Sequence, residues 1–341
     1  MNDWPSVGVA GARGVVGSVF LSILADAGLP ASHLRAYGHE AGSVAFGDVE
    51  VPVGAATDES MAGLDVLFCA TDGATSRDLV AGPARDVPLI VDNSSAFRLD
   101  AGVPLVVPEA NAEALRTRGH VVANPNCTTA ACVVVLAPIS RVAGLASVDV
   151  ASYQAVSGAG RAGLDAFLSE RGTADRAQAP GSPFHGRVAD SVVPQIDVMH
   201  DDGWTGEEAK IHAELRKILG LPGLDVAATA VRVPVETGHS VALHFRTERP
   251  TSVATLEGAL RQAPGLDYRP ADGSERHPMP LDVEGRDRVI VGRLRAVPGR
   301  PNGFACFLSS DNLRKGAALN AIQVAACADP QRFGRLLPAA R

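Results

Sequence analysis

The hydrophobic pattern changes texture near Cys127. Before it, short continuous apolar runs alternate with segments of helical spacing. Ser6-Val7-Gly8-Val9-Ala10 is the first run, and Val19, Phe20, Ile23 and Leu24 then repeat at helical intervals until Gly28-Leu29-Pro30 stops the pattern. His33 to Tyr37, Val66 to Ala70 and Leu89 to Asp92 read as further buried strands, with a helix expected around Ser76 to Ala84. Strands of this kind alternating with helices predict a doubly wound parallel sheet. After Cys127 the elements lengthen. Thr128 to Arg141 reads as one helix, Ala146 to Val156, Asp225 to Val233 and Ser240 to Thr247 as strands, and Thr205 to Leu219 as a helix. Strands with fewer interleaved helices predict an α+β unit. The fold class expected is therefore α/β, an N-terminal Rossmann-like doubly wound parallel sheet followed by a second α+β domain. Residues 1–126 with about 310–341 would form the first domain and 127–309 the second, because Asn312 to Ala326 reads as a helix returning to the first sheet. Arg171 to Arg187, rich in Gly, Pro, Ala and charge, predicts an exposed loop.

Composition narrows the setting. The 341 residues suit two domains, and 46% hydrophobic content with 20% charge fits a soluble globular protein. A net charge of -7 supplies no electrostatic reason to bind nucleic acid or an anionic membrane. Met1 to Pro5 lacks the pattern of a signal peptide. Apolar runs such as Ala130 to Ile139 fall short of the about 20 residues that a bilayer requires. Five cysteines without a Cys-x-x-Cys pair argue against a disulfide framework or a zinc site and for a reducing, cytoplasmic setting; no metal is expected.

Two short segments carry chemistry. Gly11-Ala12-Arg13-Gly14-Val15-Val16-Gly17 lies between the first strand and the first helix, the setting in which glycines let backbone approach a pyrophosphate and a helix N-terminus favours its charge. A glycine-rich turn packing helix on strand is the plainer alternative. The position about 20 residues beyond the glycines, where an acidic side chain would select NAD, holds Tyr37-Gly38, followed by His39-Glu40. Histidine could meet a 2′-phosphate and Glu40 would repel one. Cys127, in Asn124-Pro125-Asn126-Cys127-Thr128-Thr129, stands at a helix start, where positive potential favours the thiolate. Cys69, Cys132, Cys306 and Cys327 lie inside apolar segments and read as small hydrophobes.

With these residues in view, the chain resembles the aspartate-semialdehyde dehydrogenase family. The resemblance rests on Gly-Ala-x-Gly-x-Val-Gly at 11–17, Asn93-Ser94-Ser95-Ala96-Phe97-Arg98, Val107-Pro108-Glu109-Ala110-Asn111 and Asn124-Pro125-Asn126-Cys127. It continues through Tyr153-Gln154-Ala155-Val156-Ser157-Gly158-Ala159-Gly160, Val193-Pro194-Gln195-Ile196-Asp197, Gly238-His239-Ser240 and Asp311-Asn312-Leu313-Arg314-Lys315-Gly316-Ala317-Ala318. These blocks keep family order over nearly the whole chain.

The resemblance implies a role for each residue. Cys127 would be the acyl-thioester nucleophile, Gln154 would orient substrate and His239 would act as general acid/base, an imidazole titrating near neutrality. Arg232, Glu207 and Asn126 would hold the substrate, Arg232 gripping its α-carboxylate and Glu207 its ammonium. Arg98 and Lys210 would bind phosphate. Gly11, Ala12, Arg13, Gly14, Val16, Gly17, His39, Glu40, Ser157, Gly158 and Asn312 would surround NADP, with NAD possible. Singly, each has an ordinary reading: Arg98, Arg232, Glu207 and Lys210 as surface ion pairs, His239 as a turn histidine, Gln154 as a partner for backbone. Two departures stand out. Glu207-Glu208-Ala209-Lys210 replaces the family's Glu-Glu-Trp-Lys, and His39-Glu40 stands where the family has an Arg-Ser pair for the 2′-phosphate.

The implied activity is NAD(P)H-dependent reduction of L-4-aspartyl phosphate to L-aspartate 4-semialdehyde and phosphate, in lysine, threonine and methionine biosynthesis. A homodimer or homotetramer is implied. Alternatives are a specialised paralogue, an N-acetylglutamyl-phosphate reductase-like enzyme and a cofactor-binding protein without catalysis.

Overall fold

The computed structural model describes residues 4–338. Part of the N-terminal reading at Met1 to Pro5 and the two ends of the expected first domain thus lie outside the described residues. In chain order the first elements are β1 (Val7–Ala10), α1 (Val15–Asp26), β2 (Leu34–Tyr37), β3 (Gly42–Phe46), β4 (Val49–Gly54) and α2 (Asp58–Met61). Next come β5 (Val66–Cys69), α3 (Gly73–Ala81), β6 (Ile90–Asp92), α4 (Pro108–Asn111) and β7 (Val121–Ala123). Then follow α5 (Cys127–Ala143), β8 (Ser147–Gln154), α6 (Gly160–Glu170), α7 (Gly206–Leu219), β9 (Asp225–Arg232) and β10 (His239–Arg246). The last are α8 (Val253–Gln262), β11 (Leu266–Arg269), β12 (Val289–Ala296), β13 (Gly303–Ser310), α9 (Leu319–Ala328) and α10 (Pro330–Phe333). The chain divides into two compact units, Met1–Asn126 with Ala317–Arg341, and Cys127–Gly316.

In the first unit seven strands run in the order β3-β4-β2-β1-β5-β6-β7. All neighbours are parallel except the β3–β4 hairpin. The inner strands β1, β5 and β6 are buried at every residue, as a sheet covered on both faces requires. Phe20 of α1 stacks on Phe68 of β5 with ring centroids 5.0 Å apart, and Leu319, Ile322 and Val324 of α9 join the same core. The helix expected at 76–84 runs from Gly73 to Ala81. It starts three residues early because Asp72 caps it, accepting hydrogen bonds from the amides of Ala74 and Thr75.

The second unit is a mixed six-stranded sheet ordered β11-β12-β13-β10-β8-β9. Alternation sets its two faces. On β8, Val148, Val150, Ser152 and Gln154 turn inward, while Asp149 and Tyr153 turn out. Inward positions on β10 are Val241, Leu243 and Phe245. The helix α5 is apolar on nearly all sides, and residues 128–139 are buried. Strands β12 and β13 fall outside the strand candidates at 146–156, 225–233 and 240–247. A register shift between Gly292 and Arg295, with Arg293 at φ 55°, breaks the alternation of β12. Near-continuous burial hides the period of β13.

One cysteine departs from expectation. Cys69, Cys132 and Cys306 are buried, but Cys327 is exposed on α9. Helical position alone did not reveal which face of α9 it occupies. Among the described residues, no helix is long and apolar enough to cross a membrane.

Candidate active site

Sheet topology assembles the second unit's polar cluster. Strands β8 and β9 are parallel, so their C-terminal residues Gln154 and Arg232 stand opposite one another. Strand β10 runs antiparallel to β8, with Ser240 opposite Tyr153, so its first residue His239 arrives at the same end. Cys127, the first residue of α5, meets His239 there: Sγ lies 3.2 Å from Nε2. Three strand ends and one helix start thus converge, although the residues are spread over more than one hundred positions of sequence.

Backbone and glycine geometry make the convergence possible. The Ala155 N–H donates to Nδ1 of His239 at 3.0 Å, and the Ala155 carbonyl accepts from Nη1 of Arg232 at 2.6 Å. One residue therefore holds both the imidazole and the guanidinium. A Cβ on Gly158 would stand 2.8 Å from Nη1 of Arg232 and 3.4 Å from the His239 ring. A Cβ on Gly316, in the single π-helical turn Arg314–Ala318, would stand 2.8 Å from Cβ of Cys127. Both glycines allow close approach of neighbouring groups.

Helix α7 supplies carboxylates with separate duties. Thr205 and Glu208 form a capping box, and Glu208 also accepts from the Ala230 amide of β9 at 2.9 Å. That glutamate pins the helix to the sheet. Glu207 instead accepts from Nε2 of Gln154 at 3.1 Å and is 6% exposed. Lys210, three residues on, lies 3.7 Å from Glu207 and 2.5 Å from Asp197. Asp197 stands at φ 71°, a left-handed conformation uncommon for a non-glycine residue.

The electrostatics follow from burial. Arg232 is 5% exposed; burial pulls its pKa down, and the nearby charges of Glu207 and Cys127 oppose that. Its Nε is a buried donor without a hydrogen-bond partner among the described residues, and its guanidinium lies over the Phe184 ring, 5.7 Å from the centroid. An unanswered guanidinium donor beside a carboxylate suits a zwitterionic ligand. His239 is 1% exposed, and burial, then Arg232, hold its pKa well below the ordinary imidazole value. Burial beside the Arg232 cation thus disfavours the charged ring.

The remaining candidates divide between the units. Ser157 and Asn312 join in the second, where Nδ2 of Asn312 donates to Oγ of Ser157 at 3.0 Å and its Oδ1 accepts from the Gly238 amide at 2.8 Å. That pair braces the turn leading into His239. Asn126 is buried directly before Cys127. Arg98, in the first unit, donates to the carbonyls of Asn124 at 2.9 Å and Asn93 at 2.8 Å and is 8% exposed. Neither Arg98 nor Arg232 is the surface ion pair that each would ordinarily suggest.

Gly11 to Gly17 form a tight turn in the first unit. The amides of Gly11 and Ala12 donate to the Tyr37 carbonyl at 3.0 and 3.2 Å, tying the loop to the end of β2. Gly11 sits at φ 76°, and a Cβ there would lie 2.4 Å from the Ala70 carbonyl oxygen. A Cβ on Gly17 would lie 2.1 Å from the Gly11 oxygen. Helix α1 starts with no side-chain cap and no acidic residue in its first turn, so its N-terminus fits a phosphate-bearing cofactor. His39 and Glu40 are exposed beyond β2, and Oε2 of Glu40 lies 3.4 Å from Nη1 of Arg13.

Sequence reasoning passed over Asp197, Gly316, Phe184 and the Ala155 amide as site groups. Asp197 and Gly316 stood inside the resemblance blocks, where they marked kinship without a role. Phe184 lay in a segment read only as loop, and no sequence signal identifies an amide by its direction.

Known proteins are similar to this chain over most of its length. A model described as "Semialdehyde dehydrogenase, NAD binding domain" matches residues 6–118, and "Semialdehyde dehydrogenase, dimerisation domain" matches 136–315. The class is thus that of semialdehyde dehydrogenases, nicotinamide-dependent oxidoreductases. The aspartate-semialdehyde dehydrogenase of Bacillus subtilis is 37% identical, the alignment covering 94% of this chain and 96% of that protein. That of Streptomyces akiyoshiensis is 40% identical over 94% and 97%. The crystal structure of aspartate semialdehyde dehydrogenase II from Vibrio cholerae superposes with a TM-score of 0.90 at 32% identity, covering 97% of this chain and 100% of that one. The same enzyme complexed with ASA gives a TM-score of 0.91 over the same shares. The chain belongs to the aspartate-semialdehyde dehydrogenase family.

Proposed function

We propose that this chain reduces L-4-aspartyl phosphate to L-aspartate 4-semialdehyde with release of phosphate, using Cys127 as nucleophile. The observation that carries the reading is the Cys127 sulfur 3.2 Å from His239, with Arg232 and Glu207 buried in the same cluster. The Cys127 thiolate, favoured by the N-terminus of α5, attacks the acyl carbon and phosphate leaves. The nicotinamide cofactor, when bound, supplies the hydride that reduces the resulting thioester. His239 then hydrogen-bonds the developing alkoxide, and collapse returns the electron pair to sulfur and frees the aldehyde. Gln154 orients the substrate, and Asn126 helps hold it. Arg232 binds the α-carboxylate and Glu207 the ammonium, while Arg98 and Lys210 take the phosphate, Asp197 aiming the lysine.

Glu207 separates this reading from an N-acetylglutamyl-phosphate reductase-like one. A free ammonium adds a favourable charge pair to the buried Glu207 carboxylate, whereas an acetylated nitrogen is uncharged and adds none. In the first unit the Gly11–Gly17 turn with Ala12, Arg13 and Val16 binds the pyrophosphate, and His39 with Glu40 lies near the ribose. Ser157, Gly158 and Asn312 of the second unit are further cofactor-binding residues in this reading. NADP is the favoured cofactor and NAD a usable one, because Glu40 offsets the charge that Arg13 offers to a 2′-phosphate.

A homodimer is proposed, since Tyr153 is 41% exposed on the outward sheet face with Phe307 beside it, ring centroids 6.2 Å apart. A cytoplasmic place in aspartate-derived amino-acid synthesis accords with five free thiols. Phosphate-dependent oxidation of aspartate semialdehyde, assayed with NADP and NAD beside N-acetylglutamate semialdehyde, tests the reading. Turnover of only the acetylated substrate would refute it.

A further inference from the structure

We propose that Phe184 is a positioning residue for the substrate's α-carboxylate: its ring face holds the Arg232 guanidinium so that the Nε–Nη2 edge is left for the ligand. The proposal deepens the reading above and rests on it for Arg232 as the partner of that carboxylate. It starts from the irregular segment between α6 and Val193, which contains neither helix nor strand. Glu170, the last residue of α6 and 2% exposed, anchors that segment. Its Oε1 accepts from the Ala179 amide at 3.0 Å, and its Oε2 from the amides of Val188 and Ala189 at 2.9 and 3.2 Å. Nη2 of Arg187 donates to the Glu170 carbonyl at 2.7 Å, and Nη1 to the Ala177 carbonyl at 3.1 Å. A buried carboxylate that collects three amides fixes the path of the loop, since each such bond is charge-assisted.

The loop so fixed returns onto Arg232 twice. Val193 and Arg232 exchange backbone hydrogen bonds, each 2.9 Å long. Earlier in the loop, Phe184 packs against the small cluster of Val156, Phe167, Val188 and Val193. Its ring lies under the guanidinium, with Cζ of Arg232 5.7 Å from the centroid. Gly163 of α6 makes room for the ring, because a Cβ there would stand 3.1 Å from Cζ of Phe184. The backbone of Phe184 is held too: its carbonyl accepts from Nε2 of Gln178 at 2.6 Å.

A guanidinium that is to grip a carboxylate through two parallel bonds must be held in its plane as well as in its place. Val193 holds the Arg232 backbone, and the Ala155 carbonyl holds Nη1 at 2.6 Å. One hydrogen bond leaves the plane free to tilt about it. The ring removes that freedom, because a guanidinium is attracted to a π-face and stacks on it. Among the described residues, neither Nε nor Nη2 of Arg232 has a hydrogen-bond partner, and Nε is buried. The two contacts therefore leave one edge of the fork unanswered, the edge that suits a carboxylate. The plainer role for Phe184, filling the apolar cluster, predicts that any side chain of similar volume serves as well.

The test separates these roles in the full-length enzyme. Phe184→Leu should raise the KM for aspartate semialdehyde about 3- to 30-fold, the range that a partly desolvated cation–π contact supplies. The kcat and the KM for phosphate should stay within about twofold, as expected when only binding of the carboxylate is lost. Mono-, di- and trifluorophenylalanine in place of Phe184 keep the volume nearly constant while draining charge from the ring face, so KM should climb step by step along the series. A KM that is flat along the series, or a Phe184→Leu variant whose kcat falls with KM unchanged, would overturn the proposal. A substrate-free arm keeps it apart from the assigned reaction. With ¹⁵N-arginine labelling, the Arg232 Nε–H signal, identified by its loss in Arg232→Lys, should lie upfield under the ring and move downfield in Phe184→Leu. An unmoved signal would remove the contact itself. Arg232→Lys run beside these variants reports on the underlying reading: if its KM for semialdehyde does not rise, Arg232 is not the carboxylate's partner, and the proposal falls with that reading rather than by itself.

Discussion

The glycine turn of the first unit and the strand-end cluster of the second are built by opposite means. In the turn, backbone does the work: Gly11 and Gly17 leave no room for a Cβ, and the side chains near it, Arg13 and Glu40, are 49% and 84% exposed. In the cluster, side chains do the work and are nearly all buried: Gln154 at 1%, His239 at 1%, Arg232 at 5%. The difference teaches where substitutions should bite. Charges at the turn are screened by water and salt, so they tune preference. Charges in the cluster lack that screening, so losing one partner leaves the others buried and unanswered.

The largest effect belongs to the cluster. Cys127→Ala should lower phosphate-dependent turnover on the order of 10⁴-fold, with the circular-dichroism spectrum unchanged. Cys132→Ala, a buried neighbour on the same helix that touches no ligand in this account, should retain activity. Substantial turnover by the Cys127 variant would remove the thioester mechanism. Gly316→Ala comes next. Its added methyl would meet Cβ of Cys127 at 2.8 Å, and a displacement near 1 Å at a nucleophile can cost about 10²-fold in kcat. Full activity in that variant would show that the π-helical turn gives way without moving the sulfur.

Arg232→Lys and Arg98→Lys test the division between the two arginines. Lysine keeps the charge but loses the planar fork. Arg232→Lys should raise the KM for semialdehyde about 10- to 100-fold and Arg98→Lys chiefly the KM for phosphate, the range expected for a charged hydrogen bond. Equal rises in both constants for both variants would erase the division. The smallest effect is at the turn. Glu40→Ser releases Arg13, and the NADP-to-NAD preference should rise roughly two- to fivefold, more at low salt, as suits an exposed pair. An unchanged preference at both salt concentrations would place Glu40 away from the ribose.

How much of this was legible depended on the kind of constraint. The parallel sheet announced itself because β1, β5 and β6 are short apolar runs between helical segments, and burial on both faces enforces that pattern. Cys127 was legible because a helix start, a Pro-Asn turn and a thiol coincide in adjacent residues. The cluster's other members were visible only through resemblance, since Gln154, Arg232 and His239 meet through strand pairing and nothing local marks a strand-end residue as functional. The bulge at Arg293 erased the alternation by which β12 would have been read. The burial of His239 and its closeness to Arg232, which hold its pKa down, arise from strand pairing, and its own neighbours in sequence do not reveal them.

The central claim is that the acyl group passes through Cys127, and a single-turnover experiment reaches it most directly. Enzyme mixed with aspartate semialdehyde and oxidised NADP in the absence of phosphate should release a burst of reduced cofactor close to one equivalent per chain. Rapid acid quenching and peptide mass analysis should then find an aspartyl group on the peptide containing Cys127, and added phosphate should discharge it. Phosphate-free enzyme that shows no burst, or that carries its acyl group on another residue, would contradict the account.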